Sequence, residues 1–246
     1  MNVVRAVNTW RLPWISWGSC FAIAFALKAG YSRASVEDLG WILAPTARLV
    51  GALRGERLVA GPAGWSPPEG AYVIAPACAG VNFLILALVV SVLGFSHTFR
   101  TPRGRMLFWL GALGGAWAIT LGVNTVRILA AIELYRVEPP AGWTHEELHR
   151  LLGVVVYLGA LSGLFAALDR LTAKRQATLQ SPAAVLLLVP GAYLGMTLGV
   201  PFLTGAFREQ GDRFARHAIM VSLAALAAFA AALLVRRFGA NSEGRP

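Results

Sequence analysis

Cys78, Arg127 and His149 are the residues of this chain whose types could run thiol chemistry. Cysteine catalysis needs a thiolate, a group that hands a proton to the leaving amine, and a donor that holds the charge developing on a carbonyl oxygen. Cys78, His149 and Arg127 meet those needs in that order. An arginine stays charged, so Arg127 could favour the thiolate, hold the oxyanion or grip a substrate carboxylate, and the sequence leaves all three open. Asn124 lies one helical turn before Arg127 on the same face and could orient either partner. Cys78 itself sits in the small-residue turn Ala75-Pro76-Ala77-Cys78-Ala79-Gly80, which runs straight into the apolar stretch from Val81 to Phe95. A helix starting there gathers free N–H groups and the positive end of its dipole, a setting that favours a thiolate. Each residue also has an ordinary reading: a lone cysteine as a small apolar group, a snorkelling arginine, an interfacial histidine, a helix-packing asparagine. What sets the ordinary readings aside is coincidence at one depth on consecutive membrane spans.

Those spans follow from composition. Of 246 residues, 57% are hydrophobic and 14% charged, too apolar and too charge-poor for a soluble domain of this size, so the chain reads as an all-α integral membrane protein. Six spans are predicted, over Trp14 to Gly30 and residues 79–96, 106–128, 150–168, 182–204 and 218–235. The first, preceded by Trp10 and containing Trp14 and Trp17 as an interfacial belt, reads as a signal anchor, because it lacks a convincing small-x-small cleavage site and many spans follow it. Between the first and second spans, residues 31–77 hold an amphipathic segment from Leu39 to Leu53, interrupted by Pro45 and Arg48, that suits the membrane surface. The loop motifs Gly61-Pro62-Ala63-Gly64 and Pro67-Pro68-Glu69-Gly70 come next, and Ala71 to Ile74 form a short extended piece leading to Cys78.

The net charge of +10 reads as topology rather than as nucleic-acid binding. With both termini cytoplasmic, the inside segments carry eleven Lys and Arg against two acids, and the outside segments eight against ten. That orientation puts the start of the second span, the end of the third and the start of the fourth on the outer face. Cys78, Arg127 and His149 occupy those three ends. The second cysteine, Cys20, lies within an apolar run, so neither a disulfide framework nor a Cys-rich zinc site is indicated, and no cofactor is expected.

These residues resemble the exosortase/archaeosortase family of multi-span membrane cysteine enzymes. Pro76-Ala77-Cys78-Ala79-Gly80 looks like the family's Cys-Ser/Ala/Thr-Gly block opening a membrane helix. Asn124-Thr125-Val126-Arg127-Ile128 looks like its Asn-x-x-Arg block, and His149-Arg150-Leu151-Leu152-Gly153 like its His-x-x-x-Gly block. The similarity covers about residues 15 to 170, and the short chain resembles a compact branch such as exosortase K. The resemblance implies a catalytic core over residues 1–170 and two further membrane helices of unassigned role over 171–246. It implies an enzyme of the prokaryotic inner membrane, active on the extracytoplasmic face, whose partner is an exported protein with a C-terminal sorting signal: a short motif, a membrane helix and a basic tail. Cys78 would attack a peptide bond near that helix, and water or an amine acceptor would resolve the acyl-enzyme. Lipid surrounds the protein, and nucleic acid is not a partner. No large soluble domain follows the core, so functions tied to such a domain elsewhere in the family do not carry over.

Two other readings compete. His145-Glu146-Glu147-Leu148-His149 spells H-E-x-x-H, the pattern in which two histidines one turn apart bind zinc and the glutamate acts as base. Against it, the motif follows a Pro/Gly loop at a helix start, where Thr144 can cap and the two acids favour the dipole. The third-ligand candidates are also poor: Asp169 falls on the opposite membrane face, and Glu209 and His217 lack a motif. His145 stays an alternative to His149 as the proton shuttle. The other competitor is a transporter or assembly subunit, which lacks an inverted repeat and a midplane cluster of polar residues.

Overall fold

The computed structural model describes residues 3–99, 101–172, 182–199 and parts of 214–230. Its helices are α1 (Val3–Tyr31), α2 (Gly40–Arg54), α3 (Val81–Phe95), α4 (Pro102–Leu134), α5 (His145–Thr172) and α6 (Pro182–Leu194). Two compact units divide the chain, Met1–Leu152 and Gly153–Pro246.

In the first unit α3 is the central element. Its sequence is apolar all round, so no face prefers water, and it is buried on nearly every side between α1 and α4. Helix α4 begins on a cap, with Pro102 at its first position and the Thr101 Oγ1 accepting from the Gly104 N–H at 3.1 Å. At 33 residues it is about 50 Å long, well beyond the ~30 Å apolar layer of a bilayer. Its buried positions Thr120, Asn124, Arg127 and Ala131 recur every three or four residues on one face. Met106, Leu107, Leu110 and Val126 on other faces are exposed, as lipid-facing side chains are.

Among the described residues three helical segments are long and apolar enough to cross a membrane: Pro76–Thr98, Pro102–Leu134 and His145–Thr172. They correspond to the second, third and fourth expected spans, each longer than expected at both ends. The expected first span lies within the 29-residue α1, whose apolar run is diluted by Trp14, Trp17 and Lys28. Of the fifth expected span residues 182–199 are described, and of the sixth only parts of 218–230, with apolar helices at Leu187–Gly199 and Phe214–Ala227; the remainder of both spans lies outside the described residues.

The amphipathic segment is continuous through Pro45 as α2. Pro45, the sixth residue of α2, removes one i→i−4 hydrogen bond, and the helix runs on through it to Arg54. Ile42, Leu43, Ala47 and Val50 bury one face of α2, which packs on α4, and Trp41, Leu49 and Leu53 remain exposed. The expected loop after α2 contains a hairpin of β1 (Val59–Gly61) and β2 (Gly64–Ser66), extended by an antiparallel bridge from Trp65 to Ile74. Gly64, at φ +140°, allows this close approach, because a Cβ there would collide with the Ile74 carbonyl. The hairpin therefore fixes the extended piece that leads to Cys78.

Candidate functional site

Cys78 closes a single 3₁₀ turn, Pro76–Cys78, three residues before α3 begins. The expectation of a thiol at the helix's first turn is therefore shifted: the Cys78 N–H donates to the Ala75 carbonyl at 2.8 Å and the Ala79 N–H to that of Pro76 at 3.0 Å. Gly80 then turns the chain into α3 from the left-handed region, at φ +75°. A Cβ on Gly80 would stand 3.0 Å from the Asn124 Cγ and 3.2 Å from the Thr120 methyl, so the glycine serves both the turn and the packing on α4.

That close approach brings Asn124 to the backbone of the cysteine. The Asn124 Nδ2 donates to the Cys78 carbonyl at 2.5 Å, and the Arg127 Nε donates to the Asn124 Oδ1 at 3.2 Å. Asn124 is fully buried and Arg127 nearly so. A buried amide with both ends bonded has little freedom, so the three residues form one rigid link. With Nε held by Asn124, the guanidinium has a set direction. The turn is held from the other side by α1: the Tyr31 hydroxyl donates to the Pro76 carbonyl at 3.4 Å, and the Lys28 Nζ to the Asn82 Oδ1 at 2.8 Å.

His149 arrives on the first turns of α5. Thr144 and Glu147 form a reciprocal capping box there: the Thr144 N–H and hydroxyl both donate to the Glu147 Oε2 at 3.0 Å, and the Glu147 N–H donates to the Thr144 Oγ1 at 3.2 Å. Glu146 is ion-paired with Arg150. The expected Thr144 cap is thus observed, and both acids stand in the first turn of α5 with structural partners. The Nε2–H of His145 faces the Val137 carbonyl at 3.1 Å, and its ring stacks on Tyr135 at 5.1 Å between centroids. His149 is tilted against the same Tyr135 ring, 6.0 Å between centroids, and its buried Nδ1 has no hydrogen-bond partner among the described residues. No group of three or more His, Cys, Asp or Glu stands together among the described residues.

Cys78, Arg127 and His149 line one cavity of about 750 Å³, walled also by Ala71 to Ile74, by Ile128, Ala131 and Ile132 of α4 and by Tyr135 just past its end. His145 does not line it. At the rim, Arg54 pairs with Glu56 at 2.8 Å and with Glu133 at 3.0 Å, and Tyr72 donates to the Glu56 Oε2 at 2.6 Å. The Arg54 hydrogen bond, first, and that of Tyr72 hold the Glu56 carboxyl below its ordinary range. Burial and the Glu56 bond push the Tyr72 phenol up to about 12. Sequence reasoning passed over Arg54, Glu56 and Tyr72. Nothing local singles them out, because Arg57, Glu69 and Trp65 supply the same residue types in the same segment.

The fold and site define a helical membrane protein with a thiol, an imidazole and a guanidinium opening on one cavity. Residues 65–166, which contain all four of Cys78, Asn124, Arg127 and His149, match the family model described as transmembrane exosortase, Exosortase_EpsH, and the match supports assignment to the exosortase family. No curated protein and no solved structure matches the chain.

Proposed function

We propose that the protein is a membrane-embedded cysteine peptidase or transpeptidase acting on the C-terminal sorting signals of exported proteins. The observation that carries this reading is the shared cavity of Cys78, Arg127 and His149, with Arg127 tied to the backbone of the cysteine through Asn124. The Cys78 Sγ, as thiolate, attacks the carbonyl carbon of a peptide bond near the substrate's membrane helix. Negative charge moves to the carbonyl oxygen, where the Arg127 guanidinium holds it. As the tetrahedral species collapses, the C–N bond breaks and the amine leaves with a proton from His149. The thioester that remains is opened by water or an amine acceptor, which gives its proton to His149 as it attacks, and Cys78 departs as thiolate again.

In this reading residues 1–170 are the catalytic core and the helices beyond it are accessory. Six spans place both termini in the cytoplasm and the cavity on the outer face of a prokaryotic inner membrane. The test is co-expression with an exported protein that ends in a motif, an apolar helix and a basic tail. Loss of that helix, with the new C-terminus fixed by mass, is expected with the wild type and absent with Cys78→Ala and Cys78→Ser, both still inserted in the membrane. Full processing by either variant would sink the thiol mechanism.

A further inference from the structure

One wall of the cavity is formed by Ala71 to Ile74, a stretch that ends on the antiparallel bridge from Ile74 to Trp65. Ile74 spends both backbone groups on Trp65: the Trp65 N–H donates to the Ile74 carbonyl at 3.1 Å, and the Ile74 N–H donates to that of Trp65 at 2.7 Å. Successive residues of an extended chain turn their N–H and C=O groups to alternate edges. The groups of Val73 therefore lie on the edge that Trp65 does not occupy, and Val73 is 47% exposed. All four residues from Ala71 to Ile74 line the cavity, and the same chain reaches Cys78 four residues later. The edge is also rigid. Gly64 lets the hairpin close on Ile74, and Tyr72 is held by Glu56, which is itself held by Arg54.

A fixed edge with a free donor and acceptor, running toward a nucleophile, is a template for strand addition. We propose that the backbone of Val73 pairs with an extended polypeptide substrate, making Ala71–Ile74 the strand on which the substrate is laid so that its scissile carbonyl meets Cys78. The occupant is the stretch of substrate flanking the cleaved bond. A peptide segment supplies an N–H and a C=O at every second residue along one edge, which is the pattern Val73 can accept. Main-chain pairing of this kind is indifferent to side chains, so it orients the substrate while selectivity falls to the cavity walls. The inference rests on Cys78 being the nucleophile.

The experiment uses the full-length protein in detergent with Cys20→Ala, so that Cys78 is the sole thiol, and two chloromethyl ketones. Acetyl-trialanyl chloromethyl ketone carries a peptide backbone; chloroacetone carries the same electrophile without one. In both cases the Cys78 sulfur forms a C–S bond and chloride leaves, and the adduct is read by mass. Pairing through one or two backbone hydrogen bonds predicts that the peptide reagent alkylates about tenfold faster than chloroacetone after correction for their rates with a free thiol. N-methylation should abolish that preference at one alanine, the residue paired with Val73, and spare it at the neighbours. Val73→Pro, which deletes the donor, should lose the preference, and Val73→Ala should keep it, each normalised to its own chloroacetone rate.

A Cys78 that reacts with chloroacetone but shows no preference for the peptide reagent would overturn the strand inference and leave the thiol mechanism standing. Equal sensitivity to N-methylation at every position, or a preference that survives Val73→Pro, would overturn it too. A thiol inert to both reagents would overturn the thiol mechanism and this inference together.

Discussion

The side-chain amide of Asn124 donates to the backbone carbonyl of Cys78 at 2.5 Å, across 46 residues of sequence. Its oxygen accepts from the Arg127 Nε, so one buried side chain sets both the height of the thiol-bearing turn and the direction of the guanidinium. Asn124→Ala leaves a buried carbonyl and the Arg127 Nε short of this partner, at a cost of about 1–3 kcal/mol. Processing should fall by about a hundredfold through misplacement alone. Asn124→Asp keeps an acceptor for Arg127 but sets an oxygen against the Cys78 carbonyl, and should rescue little. Arg127→Lys keeps the charge, loses the Nε bond and should be nearly as severe. Kinetics with a model substrate, alongside the Tm of each variant, check all three.

Gly80 and Gly55 both sit at positive φ, +75° and +68°, but a Cβ on Gly55 meets open space and one on Gly80 meets Asn124. Gly55→Ala should cost about 1 kcal/mol, the strain of the left-handed backbone. Gly80→Ala adds overpacking, should cost at least about twice as much, and should impair processing even where the protein still folds. Thermal unfolding in detergent compares the two.

His149 lines the cavity with Nδ1 unpartnered among the described residues, whereas His145 is turned to Val137 and Tyr135. His149→Gln should lower turnover by about 10²–10⁴-fold, the range for loss of a general acid. His145→Gln should cost less than about tenfold. Chelators should leave turnover intact. Activity lost on chelation and restored by zinc would instead revive the H-E-x-x-H reading, in which both histidines matter equally.

The rim cluster gives a pH dependence with a defined sign. Glu56 is held below its ordinary range by Arg54 and Tyr72, so its contribution is full above the unfolded carboxyl value of about 4.3. It is lost as pH falls through the lower folded value. Tyr72, at about 12, contributes fully below the unfolded phenol value of about 10 and loses that contribution as pH rises through the folded one. The loop from Glu56 to Tyr72 should therefore be equally protected from proteolysis across neutral pH and loosen at both extremes. Glu56→Gln should remove the acid limb, and Tyr72→Phe the alkaline one.

The proposed orientation is tested by reporters: a fusion after Pro68 should score outside and one after Arg103 inside. The reverse pattern would place the cavity on the cytoplasmic face.

The sequence by itself determined the membrane class, the three central apolar helices and the candidate trio, because hydropathy, caps and small-residue turns act over a few neighbouring residues. Thr144 and Glu147 are an example: three residues apart, they define where α5 begins. Tertiary structure decided the rest. The chain could not reveal that Gly80 must be bare because Asn124 fills the space above it, or that Gly64 must be bare for Ile74. Nor could it reveal that Arg54 meets Glu133 across 79 residues. Those facts depend on which helices pack together and at what height, and no local pattern encodes the distance between α3 and α4. Cys78, Arg127 and His149 were legible as chemistry. That Asn124 joins two of them, and that Ala71 to Ile74 line the cavity beside them, follows only from the packing.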